Sequence, residues 1–320
     1  MHIPGNALSP STCATFAVIM MPIWRRASLK VKKEITRQKM PLLGVAAAFS
    51  FLIMMFNIPL PGGTTGHAIG SALVAILLGP YSAVLAVTIA LTIQALFFGD
   101  GGILALGVNC FNMAFIMPFT AFYIKNLFRN QKGEYIGAFL GGYISVNVAA
   151  LFAAVEFGVQ PLLFKDFLGL PLYNPYGLDI SIPAMMIPHL LVVGILEGII
   201  TVGAYSYIKK SSPDLIYKEK VSKIKIFYII LGILILATPL GLLAKGTAWG
   251  EWGLEEIKNF LGFIPKGMEN GFKFNSPIPD YNFGFLNEYF GYILSAVVGV
   301  TIILIIFKVL GKINLKRNIK

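Results

Sequence analysis

Apolar runs bounded by charge or by glycine and proline recur nine times along the 320 residues, at roughly 10–24, 41–60, 67–78, 80–98, 103–127, 135–158, 184–208, 224–245 and 289–310. A helix that crosses a bilayer takes about 20 residues. The first and third runs are shorter, so they either extend through polar neighbours or sit as partial helices inside a bundle. The pattern predicts an all-α polytopic membrane helical bundle of about nine transmembrane helices, seven followed by two. Between the seventh and eighth runs lies a polar stretch that opens with Ser211-Ser212-Pro213-Asp214. It divides the chain into a module over 1–210, a linker over 211–221 and a two-helix module over 222–320. The last two helices enclose a long loop, 246–288, in which Trp252, Leu254, Ile257 and Leu261 would form one apolar face of a short helix on the membrane surface. No internal repeat marks the inverted halves of a secondary transporter.

Composition agrees: 56% of the residues are hydrophobic and 13% charged, far from the soluble balance of about a quarter charged. The net charge of +11 accompanies no nucleic-acid-binding motif, and its distribution explains it better. Of the 26 Lys and Arg, 21 fall on one side of a nine-helix model: Arg25, Arg26, Lys30, Lys32, Lys33, Arg37 and Lys39; Lys125, Arg129 and Lys132; Lys209, Lys210, Lys218, Lys220, Lys223 and Lys225; and Lys308, Lys312, Lys316, Arg317 and Lys320. The positive-inside rule makes that side cytoplasmic, which places the N-terminus outside and the C-terminus inside. The outer side carries Asp100, Asp166, Asp179, Glu251, Glu255, Glu256, Glu269, Asp280 and Glu288. Trp24 falls at the inner boundary and Trp249 and Trp252 at the outer one, the headgroup depth that indole rings favour. Cys13 and Cys110 sit in apolar surroundings with neither a metal nor a disulfide spacing. The first run lacks a charged leader and a small-residue cleavage site, so Met1 is expected to stay on the mature chain.

That expectation matters because Met1-His2 is a chelator that needs no fold. The terminal amine, the deprotonated His2 backbone nitrogen and the His2 imidazole close two fused rings on one cation and leave one corner of a square open. Planar nitrogen sets suit Ni(II) or Cu(II). The fourth ligand must come from elsewhere, and the only other histidines are His67 and His189. His67 closes the outer connection Pro61-Gly62-Gly63-Thr64-Thr65-Gly66-His67, on the same side as the N-terminus. Helix seven is expected to start just after Pro183, which puts His189 one to two turns deep and Glu197 near its middle. Ionisable residues inside a membrane are functional candidates, although a buried glutamate held by neighbours and a histidine satisfied by a carbonyl are ordinary. Gln94, Asn109 and Asn112 flank the Gly99-Asp100-Gly101-Gly102 turn. Such amides either orient an imidazole ligand or bridge helices in lipid. Gly44 and Ala48 make a small-xxx-small pair on helix two, a face for close helix packing. Metalloprotease, serine-hydrolase, intramembrane aspartyl protease and phosphate-loop signatures are all missing, so no enzyme is indicated and any use of ATP must come from a partner. Against a metal-binding protein stand an intramembrane enzyme and a stand-alone secondary transporter, each built on Glu197 and His189.

Four stretches in order carry a family resemblance: Met1-His2-Ile3-Pro4 with Leu8-Ser9-Pro10, the 61–67 loop, Gly99–Gly102, and Asn109 with Asn112-Met113. Over about 1–210 the chain resembles the nickel or cobalt substrate-binding membrane subunit of energy-coupling-factor (ECF) transporters. The remainder, with Pro239-Leu-Gly-Leu-Leu-Ala244, Ala248-Trp-Gly-Glu-Trp252 and Pro277-Ile-Pro-Asp-Tyr281, resembles the accessory two-helix subunit, fused here to the first. The resemblance implies metal ligands at Met1, His2 and His67 and Ni(II), with Co(II) as alternative, as transported substrate. It also implies partnership with a membrane coupling subunit, which Gly44 and Ala48 would contact, and with two ATPase subunits. Binding would take place outside, with toppling of the subunit to release metal inside. Gly5-Asn6 departs from the family's usual Asp-Gly and puts the inward turn of the terminus in question.

Overall fold

The computed structural model describes residues 1–34, 40–128, 133–213, 215 and 224–317. In chain order α1 spans Pro10–Glu34 and α2 Met40–Met54. A hairpin follows, of β1 Ile58–Leu60 and β2 Thr64–Gly66, and then α3 Ser71–Leu78. Four membrane-length helices complete the first module: α4 Pro80–Phe98, α5 Leu106–Leu127, α6 Gly133–Leu163 and α7 Leu178–Ser211. The second contributes α8 Ile224–Leu243, α9 Leu254–Leu261 and α10 Glu288–Arg317. Among the described residues six helices, α4 to α8 and α10, are long and apolar enough to cross a membrane. The chain is thus a multi-pass helical membrane protein. Arg37, Lys39, Arg129, Lys132, Lys218, Lys220, Lys223, Lys320 and most of the 211–221 linker lie outside the described residues.

Four boundaries differ from those the pattern suggests. First, α1 continues well past Trp24 into the basic stretch, ending at Glu34. Second, α2 stops at Met54, before Pro61: the last three residues of the apolar run pair instead as β1 with β2, in the register Ile58↔Gly66 and Leu60↔Thr64. Gly62 and Gly63 turn the hairpin with φ of 90° and 78°, values that glycine adopts without a Cβ clash. Third, the run at 67–78 yields only the eight-residue α3, wedged within the bundle. Fourth, α7 begins at Leu178 and carries Pro183 and Pro188 inside it. Just after Pro188 the helix widens to a π turn over His189–Val193. Similar π stretches end α4 (Gln94–Phe98) and run through α5 (Cys110–Ile116), so Gln94, Asn112 and His189 each stand at a helical irregularity, a common setting for functional side chains.

The second module straps onto α2. Gly44 meets Phe307 and Leu304 of α10, where a Cβ would lie 3.1 Å from that of Phe307, and Gly299 of α10 receives the ring of Phe51. Gly44 thus packs in a seam with α10, and Ala48 is fully buried on the same helix. Tyr292 donates its hydroxyl to the Met55 carbonyl at 2.8 Å, closing the same seam near the hairpin. Trp249 and Trp252 pack between modules, edge-on to Phe157 (5.6 Å) and Tyr176 (5.5 Å). In α9 only Ile257 of the anticipated apolar face is buried, and the helix starts after Trp252. At the opposite end of the bundle the basic residues gather, with Lys30 over the Tyr81 ring (4.7 Å) and Lys209 paired to Glu134 (2.6 Å).

Candidate metal-binding site

The N-terminus does not hang free. Met1, His2 and Ile3 are buried at 6%, 2% and 0% exposure, which requires that every backbone polar group along them find a partner. Asn109 supplies two at once: its Oδ1 accepts the Ile3 N–H at 2.8 Å and its Nδ2 donates to the Ile3 carbonyl at 3.0 Å. Gly102 N–H donates to the same carbonyl at 2.9 Å. Gly102 is also where Gly5 crosses so closely that a Cβ would strike the Gly5 backbone, which explains why two glycines meet there. Further on, Ser9 N–H donates to Gln160 Oε1 (2.9 Å) and Asn174 N–H to the Ala7 carbonyl (2.9 Å). Asn6 turns the chain with φ of 67°, a conformation asparagine tolerates better than most residues. Its side chain pairs with both backbone groups of Phe272, at 2.9 and 3.0 Å. The Gly5-Asn6 sequence thus keeps the inward turn and ties it to the second module.

The first three residues deliver His2 against His67. His2 Nδ1 lies 3.2 Å from His67 Nε2, with ring centroids 5.0 Å apart. His67 Nδ1 donates to the Ala68 carbonyl at 3.0 Å, so in neutral His67 the lone pair is on Nε2 and points at His2. Burial, together with the positive N-terminal amine and His2, holds the His67 imidazole well below its ordinary value; the ring is neutral and available as a donor. Glu197 fixes the loop that presents it. Its carboxylate accepts the Ile69 N–H at 2.7 Å and the Gly70 N–H at 3.0 Å, taking up amides left open at the start of α3. That contact accounts for a glutamate buried in mid-helix. His189 Nδ1 is spent on the Met185 carbonyl at 2.7 Å.

Two carboxylates that sequence reasoning placed only among the outer acids reach the same spot. Asp100 Oδ1 is 3.3 Å from His2 Nδ1. Glu251, from the second module, accepts the Met1 amine at 3.0 Å. Asp100 Oδ2 in turn accepts the Tyr281 hydroxyl (2.6 Å) and Gln94 Nε2 (3.2 Å). The expected amide contacts to an imidazole are not what forms: Gln94 braces Asp100, Asn109 clasps Ile3, and Asn112 donates to Glu156 at 2.6 Å. Asp100 stands in the glycine-rich turn and Glu251 in the Ala248–Trp252 stretch that carries the resemblance, but neither stretch by itself indicates that its carboxylate reaches the N-terminus. A vestibule of about 770 Å³ opens onto this cluster, lined by His2, His67, Asp100, Glu251, Asp280 and Glu288 among others.

The structure thus brings a terminal amine, two imidazoles and two carboxylates to one end of the bundle, nitrogen and oxygen donors of the types that divalent transition metals take. Residues 2–215 match the family model described as cobalt uptake substrate-specific transmembrane region, which is two-thirds of the chain. The chain belongs to this family. Within it, the cobalt uptake region is followed by a match to the PDGLE domain over 223–316. The "Probable fused nickel transport protein LarMN" of Lactiplantibacillus plantarum is 46% identical over 318 residues, covering 96% of this chain and 97% of its own. The "Fused nickel transport protein NikMN" of Rhodobacter capsulatus is 43% identical, with 95% of both chains covered. A solved structure of a truncated transition metal transporter is 51% identical with a TM-score of 0.63, covering 66% of this chain and 99% of that one. The chain is accordingly a membrane transport component of the cobalt uptake type and no enzyme.

Proposed function

We propose that this protein is the substrate-specific membrane component of an ECF-type nickel uptake transporter, with cobalt as an alternative substrate. Ni(II) is captured outside by four nitrogens: the Met1 amine, the His2 backbone nitrogen, His2 Nδ1 and His67 Nε2. A membrane coupling subunit and two ATPase subunits complete the transporter. The 1–210 module holds the metal, and the 222–320 module, joined through 211–221, assists it. The observation that carries this reading is the 3.2 Å approach of His2 Nδ1 to His67 Nε2. Two nitrogen ligands in adjacent corners of a square plane with bonds of about 2.0–2.1 Å stand about 2.9 Å apart. In that square His67 is the fourth corner, next to both the His2 ring and the amine. Nickel favours such a plane, and the near-neutral His67 lone pair meets no competing proton.

Charge supports a divalent cargo. Binding displaces one proton from the terminal ammonium and one from the His2 amide, so a dication enters while two positive charges leave. The acidic surroundings then face the same net charge before and after loading. Metal counting and calorimetry on protein with its native terminus test the reading. One residue inserted after Met1, N-terminal acetylation, His2→Ala and His67→Ala should each weaken nickel binding at least about tenfold, or 1.4 kcal/mol. Proton release measured across buffers of different ionisation enthalpy should approach two per metal. Full binding by the inserted and acetylated forms would remove the amine and the amide from the site.

A further inference from the structure

At the end of the bundle where the basic residues gather, a cavity of about 400 Å³ lies between α1, α4 and α5, and none of the described residues that line it is acidic. Arg26 and Lys30 stand one turn apart on α1. Both lie over the Tyr81 ring, at 5.8 and 4.7 Å from its centroid, and the attraction of the ring face for cations holds them at the cavity. The N-terminus of α4 opens onto the same space. Gly79 caps it without a side-chain hydrogen bond, and Pro80 begins it without an N–H. The first backbone bond runs from Ala83 N–H to the Gly79 carbonyl at 3.2 Å, so the amides of Tyr81 and Ser82 precede it as open donors. Such a helix end carries roughly half a positive charge and takes oxyanions.

Ser82 adds an observation of its own. Its side chain is 4% exposed, lines the cavity and makes no hydrogen bond among the described residues, whereas a hydroxyl buried to that degree ordinarily has a partner. An oxygen held in the cavity supplies one. Depth and surroundings select the ligand that brings it. The membrane-length α4 starts at Pro80, which sets its N-terminus at the border of the hydrocarbon, where headgroups lie. Leu29 of α1 and Tyr123 and Leu127 of α5 are each more than half exposed, an apolar rim of the kind that lipid tails cover. A soluble oxyanion gains nothing from that rim.

We propose that the cavity binds an anionic phospholipid, with its phosphate between Arg26, Lys30 and the α4 N-terminus, Ser82 Oγ donating to it, and its acyl chains along Leu29, Tyr123 and Leu127. A guanidinium suits phosphate oxygens, and basic pockets between membrane helices take anionic headgroups. The choline of a zwitterionic lipid would bring a further cation to a site that already holds two. Bound there, the lipid joins α1 to α4 and α5 at headgroup level. The inference is independent of how the metal is held at the other end of the bundle.

The test titrates the full chain in neutral detergent with phosphatidylglycerol, with phosphatidylcholine of the same acyl chains and with inorganic phosphate, and counts bound molecules by native mass spectrometry. Phosphatidylglycerol should bind at least about tenfold more tightly than phosphatidylcholine, and inorganic phosphate should not displace it. Arg26→Gln combined with Lys30→Gln should abolish the preference. Ser82→Ala keeps both charges and should lower phosphatidylglycerol affinity roughly three- to tenfold, as the loss of one hydrogen bond does; it carries the test if thermal melts show that the double variant does not fold. Lys308→Gln combined with Lys312→Gln, on α10, should leave the preference intact. Equal binding of the two lipids would overturn the proposal, and so would an equal loss in the α10 variant, which would mark a diffuse attraction to basic residues. Displacement by inorganic phosphate would make the cavity a site for free oxyanions. Loss of metal uptake in the Arg26 and Lys30 variant with lipid binding unchanged would assign the cavity to an acidic protein partner, and either result ends the lipid assignment.

Discussion

At the scale of single residues, the donor set is local chemistry made precise by a few distant contacts. Asn109 is the clearest of these, because one side chain fixes both backbone groups of Ile3 and so sets where the His2 backbone nitrogen stands. Asn109→Ala removes two buried hydrogen bonds, each worth about 1 kcal/mol net, from a segment whose own ligands are unaltered. Nickel affinity should drop roughly tenfold while circular dichroism and the melting temperature of the metal-free protein stay close to wild type; a loss of folding would mean the clasp supports the bundle rather than the site. His67 gives a pH signature. Its imidazole titrates well below its ordinary value in the folded chain, while in the unfolded chain it takes a proton near pH 6.5. Below that pH the unfolded state binds the extra proton, so stability is retained at neutral pH and declines as pH falls from about 6.5 toward the folded value. Melts of metal-free His67→Gln should show a shallower decline over this window than wild type.

At the scale of elements, what the hydrophobic pattern revealed and what it hid have separate physical causes. Runs of apolar residues announce membrane helices because lipid tolerates little else at such length, and α4, α5, α6, α8 and α10 lie close to where the runs fall. The ends were less legible. Ile58-Pro59-Leu60 is as apolar as the helix before it, yet it pairs with Thr64–Gly66, a choice decided by the partner strand and the glycine turn. Pro183 reads as a boundary, but α7 starts five residues before it and passes through with Pro183 and Asp179 both exposed. The Met1-His2 chelate was legible because its rings close within two residues; Glu251 and Tyr281 were not, since they reach the site only when α10 and its preceding loop fold over α2. Gly44 and Gly299 mark that docking. Gly299→Leu forces the Phe51 ring out of its seat, overpacking that typically costs about 1–3 kcal/mol. Detergent melts of this variant should fall by several degrees, with the nickel affinity reduced less than by changes at His2. A melt unchanged from wild type would show that the α2–α10 seam contributes little.

For the whole molecule, the division into modules and the location of the cargo site bear on each other. All four proposed nitrogen donors lie in the first module, and a truncated transition metal transporter that matches two-thirds of this chain has been crystallised without a counterpart of the rest. Yet the second module closes over the terminus: Glu251 on the Met1 amine, Phe272 on Asn6, Tyr281 on Asp100, and the Thr247 carbonyl on the Thr64 hydroxyl at 3.1 Å. It also forms much of the vestibule wall. Removal of 222–320 should therefore act on exchange more than on the existence of the site. A 1–221 fragment with its native terminus is expected to bind nickel at one equivalent, but to release it at least about tenfold faster to a chelator in stopped-flow, because the amine and the 61–67 hairpin lose their outer contacts. Uptake in cells supplied with the coupling and ATPase subunits should fall further than equilibrium affinity does, since transport also needs the loaded site to persist until release inside. If the fragment folds, keeps its terminus and binds no nickel, the site belongs to both modules, and the four nitrogens are not sufficient to hold the metal. If it exchanges metal at the full-length rate, the contacts made by Glu251, Phe272 and Tyr281 hold the architecture together without retaining the cargo.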